Sequence, residues 1–151
     1  MKTRSPNRFI PLLGGLSLCA LLLPALAGAA DSCARISTFD IAPRTEKLFP
    51  AVLIEVDGGL PGPTSAETWR LSPGKHTLKV AEAIASYEFN AVQLRQRDGR
   101  QPNRYKTLDI VAEPGITYRL SAKLIMDKRH KIRTGEYWQP VIWKESPEPC
   151  H

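Results

Sequence analysis

Beyond residue 50 the apolar and polar positions of the chain alternate with a period of two. Val52, Ile54 and Val56 alternate with Leu53, Glu55 and Asp57; Trp69 and Leu71 with Thr68 and Arg70; Leu78 and Val80 with Thr77 and Lys79. The longest such run sets Tyr118, Leu120, Ala122 and Leu124 against Arg119, Ser121 and Lys123. This period places alternate side chains on opposite faces, so each run predicts a strand with one buried face. Strands are expected near residues 34–40, 51–57, 67–72, 76–84, 107–112, 116–126 and 136–144. Turn chemistry separates them at Asp57-Gly58-Gly59, Pro61-Gly62-Pro63, Pro73-Gly74-Lys75, Asp98-Gly99 and Pro114-Gly115. About seven short strands joined this way predict an all-β, single-domain antiparallel β-sandwich of prealbumin-like or immunoglobulin-like kind. Val80 to Leu94 departs from the pattern, because Ala81, Glu82, Ala83, Ala85 and Ala91 also tolerate helix. The expectation there is a long strand followed by an irregular insert near residues 85–106, with room for a short helix.

The start of the chain is of another kind. Lys2, Arg4 and Arg8 precede any acid, and Phe9 to Ala30 carries no charge. The run closes on the small residues Ala25-Leu26-Ala27-Gly28-Ala29-Ala30. A basic start, an apolar middle and a small-x-small end make a secretory signal peptide. Residues 1–30 are expected to be removed before Asp31, with Ala25-Leu26-Ala27 as a second cleavage site. The alternative is an uncleaved anchor, since the run is long enough to span a bilayer. Pro24 and the small-residue tail favour cleavage. Cys19 follows Leu18 where a lipoprotein signal needs a small residue, so it belongs to the discarded peptide. Export by the general secretory route of a Gram-negative-type cell is expected, with a periplasmic or secreted product.

Cleavage leaves residues 31–151 as one domain with a modest core and no further membrane-spanning segment. Losing Lys2, Arg4 and Arg8 lowers the formal charge from +6 to +3, which is not the composition of a nucleic-acid binder. Cys33 and Cys150 remain, near the two ends of the domain. In an oxidising compartment such a pair is expected to form a structural disulfide. That bond requires the first and last strands to lie side by side, since bonded Cα atoms sit about 6 Å apart. A redox pair would be closer in sequence, and zinc would need four ligands together.

Three segments carry a resemblance: Ile54-Glu55-Val56-Asp57-Gly58, Leu71-Ser72-Pro73-Gly74-Lys75-His76-Thr77-Leu78-Lys79-Val80, and Glu113-Pro114-Gly115-Ile116-Thr117-Tyr118-Arg119-Leu120. Together they resemble the PEGA-type β-sandwich and similar uncharacterised bacterial secreted domains, over residues 50 to 126. The resemblance implies a small non-enzymatic module of an envelope or periplasmic protein, and brings no catalytic residues. The insert and the terminal cysteines depart from it.

Chemistry is sparse along the chain. His76, His130 and His151 share no metal-ligand spacing, so no metal or cofactor is expected. No serine sits in a nucleophile elbow and no glycine-rich loop opens a helix, although a triad assembled in space stays open. Glu55 and Asp57 share a strand face, as a carboxylate pair or as a solvated edge. A non-enzymatic protein is the expectation. Two basic clusters stand out. Arg95, Arg97, Arg100, Arg104 and Lys106 lie in the insert; Lys128, Arg129, His130, Lys131 and Arg133 follow the long strand. They read as solvated loops or as a surface for anionic lipid or glycan. Tyr87, Phe89 and Tyr105 flank the first cluster and either pack on a ligand or anchor the insert.

The last strand holds Tyr137, Trp138 and Trp143, with Trp138 and Ile142 on one face and Tyr137, Val141 and Trp143 on the other. Pro140 marks it as an edge strand or a bulge. Either the insert covers its aromatics or they stand exposed for a partner strand or sugar. The expected function is that of a monomeric accessory binding module contacting another envelope protein. The alternative is an anionic lipid or glycan binder using Arg95, Arg97, Arg100, Arg104, Lys128, Arg129 and Lys131. A third reading, an enzyme, requires a deep pocket holding His76 or His130 near a carboxylate.

Overall fold

A computed structural model describes residues 33–63, 65–99 and 101–148. The signal segment 1–30 with Cys19, and also Arg100, Cys150 and His151, lie outside the described residues. The strands are β1 (Ala34–Ser37), β2 (Leu48–Phe49), β3 (Ala51–Val56), β4 (Thr68–Leu71), β5 (Gly74–Glu82), β6 (Tyr105–Ala112), β7 (Ile116–Leu124) and β8 (Trp138–Pro147). One short helix, α1 (Ala91–Asp98), lies in the insert between β5 and β6.

The strands form two sheets. In the larger one β7 is central. β8 runs antiparallel along its whole length, from Ile116↔Pro147 to Leu124↔Trp138. A strand has two edges, so β1 and β2 share the other one: β1 pairs with Thr117–Arg119 and β2 with Ala122–Lys123. β4 pairs with β1. The smaller sheet has the order β3-β5-β6 and is antiparallel throughout. The expected antiparallel β-sandwich of about seven strands is what the structure shows, with eight strands among the described residues and one parallel pairing, β1 with β7. The additional strand is β2, whose two residues are too few to show a period.

Prolines mark the passages between sheets. β2 runs through Pro50 into β3; Pro61 and Pro63 lie between β3 and β4; Pro73 lies between β4 and β5, and Pro114 between β6 and β7. Proline donates no ladder hydrogen bond, so it ends pairing on one sheet where the chain leaves for the other. Three connections stay within a sheet, β1 to β2, β5 to β6 and β7 to β8; the last two are the longest of the chain and meet at one end of the sandwich. Gln93 Nε2 donates to the Arg129 carbonyl at 3.2 Å, and Asn103 Nδ2 to those of Ile132 and Arg133 at 3.2 and 2.6 Å. At the other end the first and last described residues, Cys33 and Glu148, meet one turn. Gly115 N–H donates to the Cys33 carbonyl, and Glu148 N–H to the Gly115 carbonyl, each at 2.8 Å.

Leu53, Leu78 and Val80 of the smaller sheet and Ile36, Trp69, Leu71, Leu120, Ala122, Leu124 and Trp138 of the larger one form the core. Asp57–Gly58 closes a two-residue hairpin turn. Both residues have positive φ, 52° and 80°, and Val56 and Gly59 exchange hydrogen bonds of 2.8 and 2.9 Å.

Candidate functional site

Three places were open to function: the histidine turn, the basic insert with the aromatic strand beside it, and any apolar groove left by the sheets.

β5 alternates inward at His76, Leu78, Val80 and Glu82, all buried. His76 therefore enters the protein beside the two turns that flank it. Its Nδ1 lies 2.7 Å from Asp57 Oδ2, and its Nε2 lies 2.7 Å from the Ser72 carbonyl and 3.4 Å from Ser72 Oγ. Thr77 N–H donates to Asp57 Oδ1 at 2.8 Å. In outline this is a Ser-His-Asp set at a shallow cavity of about 470 Å³, with Asp109 on its rim. The hydrogen bonds give it another role. A carbonyl only accepts, so Nε2 carries a proton and donates to Ser72 O, while Nδ1 donates to the carboxylate. No ring nitrogen is left to take a proton from Ser72 Oγ. Burial disfavours the imidazolium, but the Ser72 and Asp57 hydrogen bonds outweigh it and raise the His76 pKa. The Thr77 N–H, then His76, lower that of Asp57. His76 thus clamps the Asp57 turn to the Ser72-Pro73 turn. Asp57 and Glu55 form no carboxylate pair either, because Glu55 binds Lys79 Nζ at 2.7 Å.

The insert is anchored by a buried ion pair. Glu82 is 1% exposed and accepts from Arg97 Nε and Nη2, each at 2.6 Å. Ile84 N–H at 2.7 Å and Tyr137 Oη at 3.0 Å also donate to it. Arg97 Nη2 donates to the Ile84 carbonyl at 2.9 Å, and Arg104 Nε stands 3.3 Å from Glu82 Oε1. Arg97 lies over the Phe89 ring, 5.0 Å from its centre, and Phe89 meets Tyr137 edge-on at 5.8 Å. Burial first, and then the Glu82 charge, push the Tyr137 phenol above its usual range. Asn90 caps α1 with a reciprocal capping box to Gln93.

These contacts correct most of the expected binding residues. Arg97 and Arg104 hold Glu82 and do not face a ligand. Tyr137 and Trp138 are fully buried core residues. Trp138 Nε1 donates to the Asn103 carbonyl at 3.0 Å, and Lys106 donates to the Trp138 carbonyl at 2.6 Å, so the insert covers this strand. Trp143 is part-buried and sits at a bulge between the pairs Arg119↔Lys144 and Leu120↔Ile142. Trp138, Pro140 and Ile142 oppose Leu124, Ala122 and Leu120 on the core side, as expected for Trp138 and Ile142. Tyr137 is buried just before the strand and not on its opposite face. Lys131 binds Glu136 at 2.9 Å and Lys128 approaches it at 3.7 Å. Arg129 donates to the Glu88 carbonyl at 3.2 Å. Phe89 anchors the insert, while Tyr87 is 75% exposed. The two basic segments do meet: Arg95 and Arg133 line one cleft, and both are exposed.

The feature that sequence reasoning missed is a groove of about 450 Å³ between β3 and the described residues 60–63, 66 and 67 that follow it. Val52, Ile54, Leu60, Pro61, Pro63 and Trp69 line it, and Glu67 is its one charged lining residue. Leu60 is 85% exposed, and Phe39 and Ile41, in the segment that follows β1, are exposed too. Gly62, with φ of 132°, lets the loop backbone lie across the indole of Trp69, where an added Cβ would stand 3.5 Å from Cδ1. β3 pairs only with β5 and β4 only with β1 among the described strands, so each sheet has an edge here. The signal was the run Leu60-Pro61-Gly62-Pro63, an apolar residue placed at a turn.

Comparison with models of protein families, with curated proteins and with solved structures returned no match.

Proposed function

We propose that the chain is an exported, non-enzymatic accessory module of the cell envelope that binds an extended apolar segment of another protein in the groove beside β3. The observation that carries this reading is the groove itself. Exposed Leu60 and Val52 flank an apolar floor next to two sheet edges. An extended segment could add backbone hydrogen bonds at such an edge while its alternate side chains fill the groove. The spent His76 nitrogens support the non-enzymatic part. Export rests on the signal-peptide pattern, and the PEGA-type likeness is part of the same reading.

The Cys33–Cys150 disulfide belongs to the proposal too. Its support is that the Cys33 and Glu148 backbones bind the same residue, Gly115, which brings the two ends of the described chain together.

The test is titration of the protein with extended peptides of alternating apolar and polar residues, followed through the indole N–H resonance of Trp69. A saturable shift that Leu60→Asp abolishes is expected. No shift with any peptide, or a shift indifferent to Leu60→Asp, would remove the groove from the proposal.

A further inference from the structure

We propose that the end of the sandwich where the two long connections meet holds an oxyanion site of phosphate class between Arg95 and Arg133. The two arginines come from segments that are distant in sequence. They line a shallow cleft of about 350 Å³ with Val92, Gln96 and Gly99, and that lining contains no carboxylate. Among the described residues neither guanidinium has an acidic partner, whereas Arg97, Arg104 and Arg119 are paired and Arg44 and Arg129 donate to other oxygens. Two like charges facing one cleft repel each other unless an anion lies between them.

The fold holds both backbones in place. Arg95 rides on α1, which the capping box starts and the buried Arg97–Glu82 pair fastens to β5 two residues further on. Asn103 binds the Ile132 and Arg133 carbonyls and so fixes the loop that carries Arg133. The site is therefore set by contacts that a ligand need not supply. Planar guanidinium forks suit a tetrahedral oxyanion carrying two or more acceptor oxygens. Gln96 adds an amide to the lining, and Val92, 54% exposed, an apolar wall. The site is separate from the groove beside β3 and stands without it.

The test uses the full chain and two probes. Inorganic phosphate is titrated by calorimetry, and phosphatidylcholine vesicles with and without phosphatidic acid are followed by co-sedimentation at fixed salt. Arg95→Gln and Arg133→Gln should each weaken binding about tenfold or more, as loss of a charge-assisted pair implies. Arg95→Lys should restore it only in part, and Lys144→Gln, an exposed cation on β8, should leave it nearly unchanged. Unaltered thermal melts will show that the variants fold. Binding of phosphate alone assigns a free anion, and binding of phosphatidic acid vesicles only assigns a lipid head group. No binding of either probe, or equal losses for Lys144→Gln and Arg95→Gln, overturns the proposal.

Discussion

Replacing Arg97 by Met tests the anchor of the insert. The substitution keeps most of the side-chain volume and removes the charge. It leaves the Glu82 carboxylate, whose side chain has no exposure, with Ile84 N–H at 2.7 Å, Tyr137 Oη at 3.0 Å and Arg104 Nε at 3.3 Å. Removing one partner of a buried pair costs roughly 3 to 5 kcal/mol, because the other charge stays buried without compensation. Arg104 is part-exposed and offsets some of this, which sets the expectation at about 3 kcal/mol, near the lower bound. For a domain of this size that lowers Tm by about 12 °C. Urea unfolding followed by tryptophan fluorescence measures the loss. The double variant Glu82→Gln with Arg97→Met separates charge from packing. Its amide oxygen can take the Oε2 position and accept from Ile84 N–H, while its NH2 donates to the Tyr137 hydroxyl; it needs no counter-ion, so it should recover at least half of the loss. A loss below about 1 kcal/mol for Arg97→Met, or a double variant no more stable than the single one, would refute the argument.

Asp57→Asn should lower the His76 titration midpoint, read from its ring proton resonances; an unchanged midpoint would remove Asp57 from the clamp. Because the folded His76 pKa is raised, its contribution to stability is complete below the reference value of 6.5 and fades as pH rises through the folded value. Asp57 is lowered, so its contribution is complete above 3.8 and fades as pH falls through its folded value. Stability from the clamp should therefore be greatest between these reference values, and a stability profile that rises above pH 7 at this site would contradict the assignment. Gly74→Ala should cost about 1 to 3 kcal/mol by equilibrium unfolding, from backbone strain at φ 128° and not from collision, since the added Cβ meets nothing within 4 Å. Cys33→Ser should cost roughly 4 to 5 kcal/mol in the chain-entropy model. Non-reducing peptide mapping should show Cys33 joined to Cys150 in the unaltered protein, and free thiols there would defeat that part of the proposal.

Most of the sheet was legible because one face of each strand is buried. The Asp57-Gly58 and Pro73-Gly74 turns were legible because few residues tolerate their backbone angles. Strand partners were not. Period two says which face a residue occupies but not which edge its strand meets, so the parallel β1–β7 pairing and the sharing of one edge of β7 by β1 and β2 had no signal.

The charges of the candidate site were legible only by phase, because a run of charged residues does not say which of them point inward. Glu82 falls in phase with Leu78 and Val80, and Lys106 with Leu108 and Ile110. A carboxylate on the inward phase of a strand requires a buried cation, and Arg97 supplies it. Of the two readings of the aromatic strand, cover by the insert holds; it had no local signal, because the cover comes from Asn103 and Lys106, which precede the strand by some 30 residues.

The meeting of Cys33 and Glu148 at Gly115 also fixes which way the domain points. β7 starts at that turn and ends beneath the loop carrying Arg133, so the two poles are separated by its nine residues, about 26 Å at the usual rise. Cys33 and Glu148, the two ends of the described chain, share one pole. A surface, a carrier or an affinity support joined there would hold the molecule by its foot, with the arginine cleft facing outward.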